Sequence, residues 1–116
     1  MVSDPDRLSE TARAAFQAPD NTIYLSSVSA WEIAVKHALG KLKLRDEPRV
    51  FIASGRKKHG IETLSLEEDA VLKVAQLPDV HKDPFDRMLI CQAIAGGLIL
   101  VTSDPLISRY PVRVLW

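Results

Sequence analysis

The sequence predicts an α/β protein with a mostly parallel central sheet. Helical segments, recognised by their periodicity and end signals, alternate along the chain with short β-prone runs. The run LILVT at 98–102 is almost wholly apolar, as expected of a strand buried on both faces of a parallel sheet. Such alternation stacks helices in layers on the sheet. A chain of 116 residues, 47% of them hydrophobic, has the size and composition of one domain, so we assign residues 1–116 to a single one.

The first helix and the first strand are predicted from their end signals. A helix is expected over 4–20, where Ser9 or Asp6 can cap the first turn and Pro19 ends it. The β-prone run NTIYLSS at 21–27 follows and predicts a short strand.

A strong helix is predicted over 27–42, with Gly40 in a C-cap position. Its apolar residues recur at i, i+4, i+7 and i+8 and therefore share one face, which we expect to be buried. Those residues are Trp31, Val35, Ala38 and Leu39.

The remaining elements follow from similar signals. Pro48 and Gly60 mark the two ends of a third helix, and Ser65 with Glu68 forms a capping-box pattern for a fourth. The predicted elements are a helix over 46–60, a strand over 61–66, a helix over 65–78, a helix over 83–97 stopped by two glycines, a helical turn over 104–110 and a strand over 112–116.

Three acidic residues fall where strands end or where the following helices begin. Glu32 lies in the first turn of the helix after the first strand, and Asp86 in the first turn of the helix that begins near Asp83. Asp104 follows the LILVT strand. The carboxyl ends of parallel strands lie along one rim of the sheet, where binding sites collect. We therefore expect the three carboxylates to converge, kept ionised by the helix dipoles.

A cluster of carboxylates repels itself unless a cation sits within it. Hard oxygen ligands favour Mg²⁺ or Mn²⁺. Such an ion can activate water and neutralise the charge of a phosphoryl transition state. The matching reaction is hydrolysis of a phosphodiester bond.

Each carboxylate also has a purely structural interpretation. Glu32 follows Ser29 by three residues and could complete a capping box. Asp83 before Pro84 has the form of an ordinary N-cap, and Asp104 could cap the turn that follows it. Spacing alone leaves both interpretations open.

Composition narrows the classes of function. Fifteen basic and fifteen acidic residues cancel, which argues against a nucleic-acid binder that relies on bulk positive charge alone. The single cysteine, Cys91, is expected to be a small buried residue in a reducing cytoplasm.

The longest apolar run, 88–101, is too short to span a membrane, and the N-terminal segment has no secretory signal pattern. His37, His59 and His81 are spaced too widely to predict a zinc site.

Two basic stretches remain, KHALGKLKLR at 36–45 and GRKKHG at 55–60. One interpretation is a solvated helix end whose cations are favoured by the helix dipole. The other is contact with the phosphates of a nucleic acid.

Several segments together resemble the PIN-domain family and, within it, the VapC-type toxins of prokaryotic toxin–antitoxin pairs. The segments are LSSVSAWEIAVKHALGKL, LPDVHKDPFDRMLICQAIAGGLILVTSD and YPVRVLW, so the WEI, DPFDR and VTSD motifs occur in the family's order. The resemblance implies a PIN-like three-layer fold with a mostly parallel central sheet. It also implies a Mg²⁺-dependent (or Mn²⁺-dependent) ribonuclease that forms homodimers and is held inactive by a cognate antitoxin.

The resemblance assigns roles residue by residue. Glu32 matches the acid of the WEI helix, Asp86 the metal-site aspartate of the DR segment, and Asp104 the acid after the family's fourth strand. These three residues are the predicted catalytic residues and metal ligands. Asp83 matches a residue that is usual in the subgroup without being the main ligand, and Thr102 and Ser103 would lie beside the site as polar support.

One feature of the family pattern is missing. Family members begin with an apolar strand that ends in a metal-binding aspartate, whereas this chain begins MVSDPDRLS. Asp4 and Asp6 belong to the turn before the first helix and do not replace that aspartate. By resemblance the strand lies between those at 22–26 and 98–102, so its absence would leave unpaired backbone groups. We therefore expect an N-terminally truncated chain with the first strand absent.

Two classes of function follow. The first is a metal-dependent ribonuclease toxin that hydrolyses RNA phosphodiester bonds and has RNA, a cognate antitoxin and a second copy of itself as partners, with no membrane involved. The second is a catalytically dead PIN-like module that binds an antitoxin or another partner without cleaving RNA. The missing aspartate of the first strand keeps the second class open.

Overall fold

The structure, a computed structural model, describes residues 9–80 and 82–116. The chain forms two compact units. The middle unit is Thr22–Ser65, and the flanking unit joins the described residues before it to Leu66–Trp116. Within the described ranges, no helix is long and apolar enough to cross a membrane.

Short helices and three-residue strands alternate along the chain. In order they are α1 (Glu10–Gln17), β1 (Tyr24–Ser26), α2 (Ser27–Ala38), α3 (Pro48–His59), β2 (Glu62–Leu64), α4 (Glu68–Leu72), a first 3₁₀ helix (Val74–Gln76), α5 (Pro84–Gly96), β3 (Ile99–Val101), a second 3₁₀ helix (Pro105–Arg109) and β4 (Arg113–Leu115).

All strand pairing in the described residues is parallel. β1 pairs with β2 in the middle unit, with Tyr24 opposite Glu62. β3 pairs with β4 in the flanking unit, with Ile99 opposite Arg113. The predicted α/β class with parallel strands is thus confirmed. The expected absence of an N-terminal strand concerns residues 1–8, which lie outside the described ranges.

Helix ends follow several of the predicted signals. The Ser9 hydroxyl accepts a hydrogen bond from the backbone N–H of Ala12 at 3.0 Å, which confirms Ser9 as the N-cap of α1; the alternative cap, Asp6, lies outside the described residues. Pro48 is the first residue of α3, and Gly60 ends that helix in the left-handed conformation, with φ of 63°.

The predicted capping box of α4 is wrong. The residue before this helix is Glu67, and no side chain caps the first turn, so Ser65 and Glu68 do not form the expected pair. The helix is also shorter than the predicted 65–78, because the chain tightens into the first 3₁₀ helix after Lys73.

The predicted buried face of α2 is also wrong. Trp31 is 58% exposed and Leu39 is 63% exposed. The buried side of the helix includes two polar residues. Because the prediction used apolar residues alone, it selected a face of the helix that is largely exposed. The buried residues of α2 are Val28, Ser29, Glu32 and Ile33.

β3 is not buried on both faces, contrary to the prediction for LILVT. Ile99 is 50% exposed, whereas Leu100 packs against a buried cluster of the flanking unit. The cluster forms between α5, β3, the second 3₁₀ helix and the chain segments just before α5 and just after the second 3₁₀ helix. Its buried members are Ile90, Ile107 and Tyr110, and Leu77, Val80, Leu100 and Val112 pack around them.

Cys91 is fully buried in α5, as predicted. Burial raises the pKa of the Cys91 thiol, against smaller opposing effects of Arg87 and Lys73. The thiol is therefore neutral at physiological pH and packs as a small apolar group.

The Arg87 guanidinium joins three segments of the flanking unit. Its Nη1 donates to the carbonyl oxygen of Pro78 at 2.9 Å and to the hydroxyl of Tyr110 at 3.4 Å. Its Nη2 donates to the carbonyl oxygen of Val74 at 3.1 Å. These bonds hold the first turn of α5 against the segment before it and against the residue that closes the second 3₁₀ helix.

Replacing two glycines with alanine, one inside α3 and one at its C-cap, should change the stability of the fold in opposite directions. A methyl group would meet no atom within 4 Å at either Gly55 or Gly60. Gly55 is inside the helix, so Gly55→Ala should stabilise the fold by about 0.5–1 kcal/mol. Gly60 has φ of +63°, so Gly60→Ala should destabilise it by about 1 kcal/mol. Urea unfolding measures both, and equal effects would contradict the assigned helix end.

Loss of the Arg87 guanidinium should destabilise the fold. Arg87→Met keeps the aliphatic stem but leaves carbonyl oxygens without a donor, so we expect a loss of about 2 kcal/mol in the free energy of unfolding. Lys73→Met is the matched control, because among the described residues the Lys73 side chain pairs with Asp69 alone, at 3.3 Å, and should change the free energy by less than about 0.5 kcal/mol. Equal losses for the two variants would show that Arg87 does not join these segments.

Candidate active site

Glu32 lies in the second turn of α2, not in the first turn as predicted. The helix begins at Ser27, and the Ser26 hydroxyl accepts from the backbone N–H of Val28 at 3.0 Å. Ser26 is therefore the N-cap, and the predicted capping box between Ser29 and Glu32 is wrong. Because the helix starts at Ser27, Glu32 lies one turn beyond the free backbone N–H groups of the helix start. Its carboxylate therefore does not serve as a cap.

The Glu32 carboxylate is buried and paired with a lysine. The residue is 7% exposed, and its Oε2 lies 2.5 Å from the Nζ of Lys36, one helical turn later. Sequence reasoning missed this pair, although a Glu four residues before a Lys on a helix is a recognisable signal. A buried carboxylate needs a partner cation, and Lys36 supplies one from the same helix.

The two aspartates of DPFDR have different positions in α5. Asp83 is the N-cap: its Oδ1 accepts from the backbone N–H of Phe85 at 2.9 Å and of Asp86 at 3.1 Å. The structural interpretation of Asp83 is thereby confirmed. Asp86 is the third helical residue, in the first turn as predicted, and is half-buried. Its carboxylate therefore lies where the helix dipole favours negative charge.

Asp104 caps the second 3₁₀ helix. Its Oδ1 accepts from the backbone N–H of Leu106 at 2.9 Å, and its own N–H donates to the hydroxyl of Thr102 at 3.1 Å. The backbone N–H of Thr102 in turn donates to the carbonyl oxygen of Leu115, the last residue of β4, at 3.1 Å. Asp104 is thus fixed to the end of β3 through local hydrogen bonds, with one carboxylate oxygen used as a cap.

The three predicted residues belong to different units. Glu32 is in the middle unit, and Asp86 and Asp104 are in the flanking unit. Across residues 9–80 and 82–116, no three His, Cys, Asp or Glu side chains form a group that could hold a metal ion. Carboxylates are the donors that Mg²⁺ and Mn²⁺ prefer, so the donor type fits such an ion while the described residues do not assemble the ligand group.

Sequence reasoning also overlooked Arg87, the neighbour of Asp86. Its hydrogen bonds to Pro78 and Val74 fix the start of α5, on which Asp86 is carried. One arginine after an aspartate has no periodicity or capping signal, and its carbonyl acceptors are set only by the folded chain. Arg87 therefore positions the helix that carries Asp86.

Comparison with known proteins gives matches of sequence and of fold. The family model of the PIN domain matches residues 1–112. Over 62 residues the chain is 37% identical to Ribonuclease VapC16 of Mycobacterium tuberculosis. That alignment covers 53% of this chain and 43% of the relative, so the match spans less than half the relative's length.

A solved structure is similar in fold. It is the crystal structure of VapBC2 from Rickettsia felis bound to a DNA fragment from their promoter, with a TM-score of 0.66 and 18% sequence identity. The similarity covers 88% of this chain and 77% of that one. The structural similarity thus covers more of this chain than the 62 residues aligned with the ribonuclease. Because the PIN-domain model matches nearly the whole sequence, the chain belongs to the PIN-domain family.

Proposed function

We propose that the chain acts as a VapC-type ribonuclease toxin of a toxin–antitoxin pair, hydrolysing RNA phosphodiester bonds in the cytoplasm with Mg²⁺ or Mn²⁺. The observation that carries this proposal is the PIN-domain match over residues 1–112, which includes Glu32, Asp86 and Asp104. The identity to a ribonuclease supports the choice of reaction.

In this proposal Glu32, Asp86 and Asp104 would hold the metal ion. When bound, the ion supplies an activated water and neutralises charge that develops on the phosphate. Asp83 fixes the backbone around Asp86 through its two capping bonds. Lys36 satisfies the buried Glu32 carboxylate while no ion is present, so the carboxylate never stays both buried and unpaired.

The partners in this proposal are an RNA substrate, a cognate antitoxin protein and a second copy of the chain. The fold similarity to VapBC2 supports assignment to this class of toxin. The dimer rests on the family resemblance.

The experiment is a cleavage assay on single-stranded RNA with Mn²⁺. Asp86→Asn removes a charged metal ligand but keeps the size of the side chain. We expect the cleavage rate to fall by about a hundredfold or more, as when an electrostatic group of a hydrolytic site is lost.

The matched control is Asp69→Asn, since the Asp69 side chain is 79% exposed in a surface pair. It should cleave RNA at the unchanged rate. Cleavage that survives Asp86→Asn would contradict the assigned site. An unchanged chain that binds an antitoxin but leaves RNA intact would contradict the proposed reaction.

A further inference from the structure

The zero net charge of the chain conceals a division between its two units. The middle unit, Thr22–Ser65, contains eight Lys and Arg and four Asp and Glu, for a formal charge of +4. The rest of the chain contains seven and eleven, for a formal charge of −4. A neutral total therefore does not argue against a polyanion bound by the middle unit alone.

The last turn of α3 is the densest group of basic side chains in the sequence. Arg56, Lys57, Lys58 and His59 are consecutive there. Lys57, Lys58 and His59 are exposed, and neither lysine forms an ion pair with any described residue. We call Lys57, Lys58 and His59 the basic end of α3.

Arg56 differs from its neighbours because it anchors this end of the helix. It is half-buried, and its Nη2 donates to the carbonyl oxygen of Leu25 in β1 at 3.2 Å. Its Nη1 is buried with no hydrogen-bond acceptor among the described residues. The anchored guanidinium holds the basic end against the sheet and adds a positive charge beneath it.

The helix dipole does not account for the charge of the middle unit. Cations at a helix C-terminus gain about 0.3–1 kcal/mol from the dipole, which could explain the basic end by itself. Arg49, however, is the second residue of α3, at the positive end of the dipole. Lys41, Lys43 and Arg45 lie in the loop before it, and all four are exposed without an ion pair to a described residue.

The surroundings of the basic end fit a phosphate backbone better than a protein partner. From Ala53 to Gly60 the exposed side chains are small or basic, and the exposed large apolar residue of α3, Val50, lies in the first turn of the helix. Protein interfaces depend on buried aromatic or aliphatic anchors. Phosphate backbones are bound by exposed cations through release of counterions.

The basic end and the start of α2 lie at opposite ends of the parallel pair of β1 and β2. Two residues separate the end of α3 from the start of β2, so α3 ends at the amino end of the parallel pair. α2, which carries Glu32, starts directly after β1, at the carboxyl end. The strands between them span about 10 Å.

We infer that the basic end of α3 is an anchoring site for the phosphate backbone of single-stranded RNA. This inference deepens the proposed function by locating where substrate is held. Lys57 and Lys58 contact phosphates, and Arg56 holds the helix end in place.

The test is RNA binding by the Asp86→Asn chain, measured by fluorescence anisotropy over a range of salt concentrations. Lys57→Gln and Lys58→Gln together should lower the slope of log K against log salt concentration by about 1.4, since each phosphate contact to single-stranded nucleic acid contributes about 0.7. Lys57→Glu with Lys58→Glu should weaken binding by about tenfold or more at low salt, because charge reversal adds repulsion.

The matched control reverses two positive charges of the flanking unit, Lys73→Glu with Arg113→Glu. It makes the same change in net charge and should leave the salt slope unchanged. An equal effect of the control, or an unchanged slope for the lysine variants, would overturn the inference. The inference would also be overturned if the lysine variants lost binding to an acidic polyglutamate peptide but still bound RNA.

These results separate the anchoring site from the ribonuclease activity. If the unchanged chain binds RNA through Lys57 and Lys58 but cleaves none, the anchoring site stands and the proposed reaction fails. If the chain cleaves RNA and the lysine variants bind it normally, the reaction stands and the anchoring site fails.

Discussion

Strands of only three residues constrain the rest of this structure. Each described sheet has two such strands, and a two-stranded sheet gives little stability by itself. Hydrogen bonds between side chains and the backbone therefore hold the chain segments around the strands and at the start of α5. The side chains that make these bonds are Ser26, Arg56, Asp83, Arg87, Thr102 and Asp104.

The same hydrogen bonds position the candidate catalytic residues. Ser26 begins the helix that carries Glu32, Asp83 fixes the turn that carries Asp86, and Asp104 is itself a cap. The structural and functional interpretations of these residues are therefore compatible, since a capping bond uses one oxygen of a carboxylate. The Glu32–Lys36 pair adds an internal counterion that a metal ion would have to displace.

Much of the fold could be predicted from local signals. Pro48 and Gly60 marked the ends of α3, and Asp83 marked the start of α5, because turn chemistry depends on neighbouring residues alone. The buried face of α2 could not be predicted, because it includes Ser29 and Glu32 and polar residues have no apolar periodicity. Arg87 was missed because its carbonyl acceptors are supplied only by the folded chain, whereas the spacing of Glu32 and Lys36 on one helix was a signal that could have been read. That Glu32, Asp86 and Asp104 together bind one metal ion stays a prediction.

This joint binding is tested most directly by a double-mutant cycle on Mn²⁺ affinity, measured by titration calorimetry. Glu32→Gln keeps the shape of the side chain, and Asp104→Asn keeps a residue able to cap the second 3₁₀ helix. If both carboxylates hold one ion, each change should weaken Mn²⁺ binding by about tenfold or more, and their effects should be strongly non-additive. Additive losses, or Mn²⁺ binding that neither change weakens, would contradict a shared metal site.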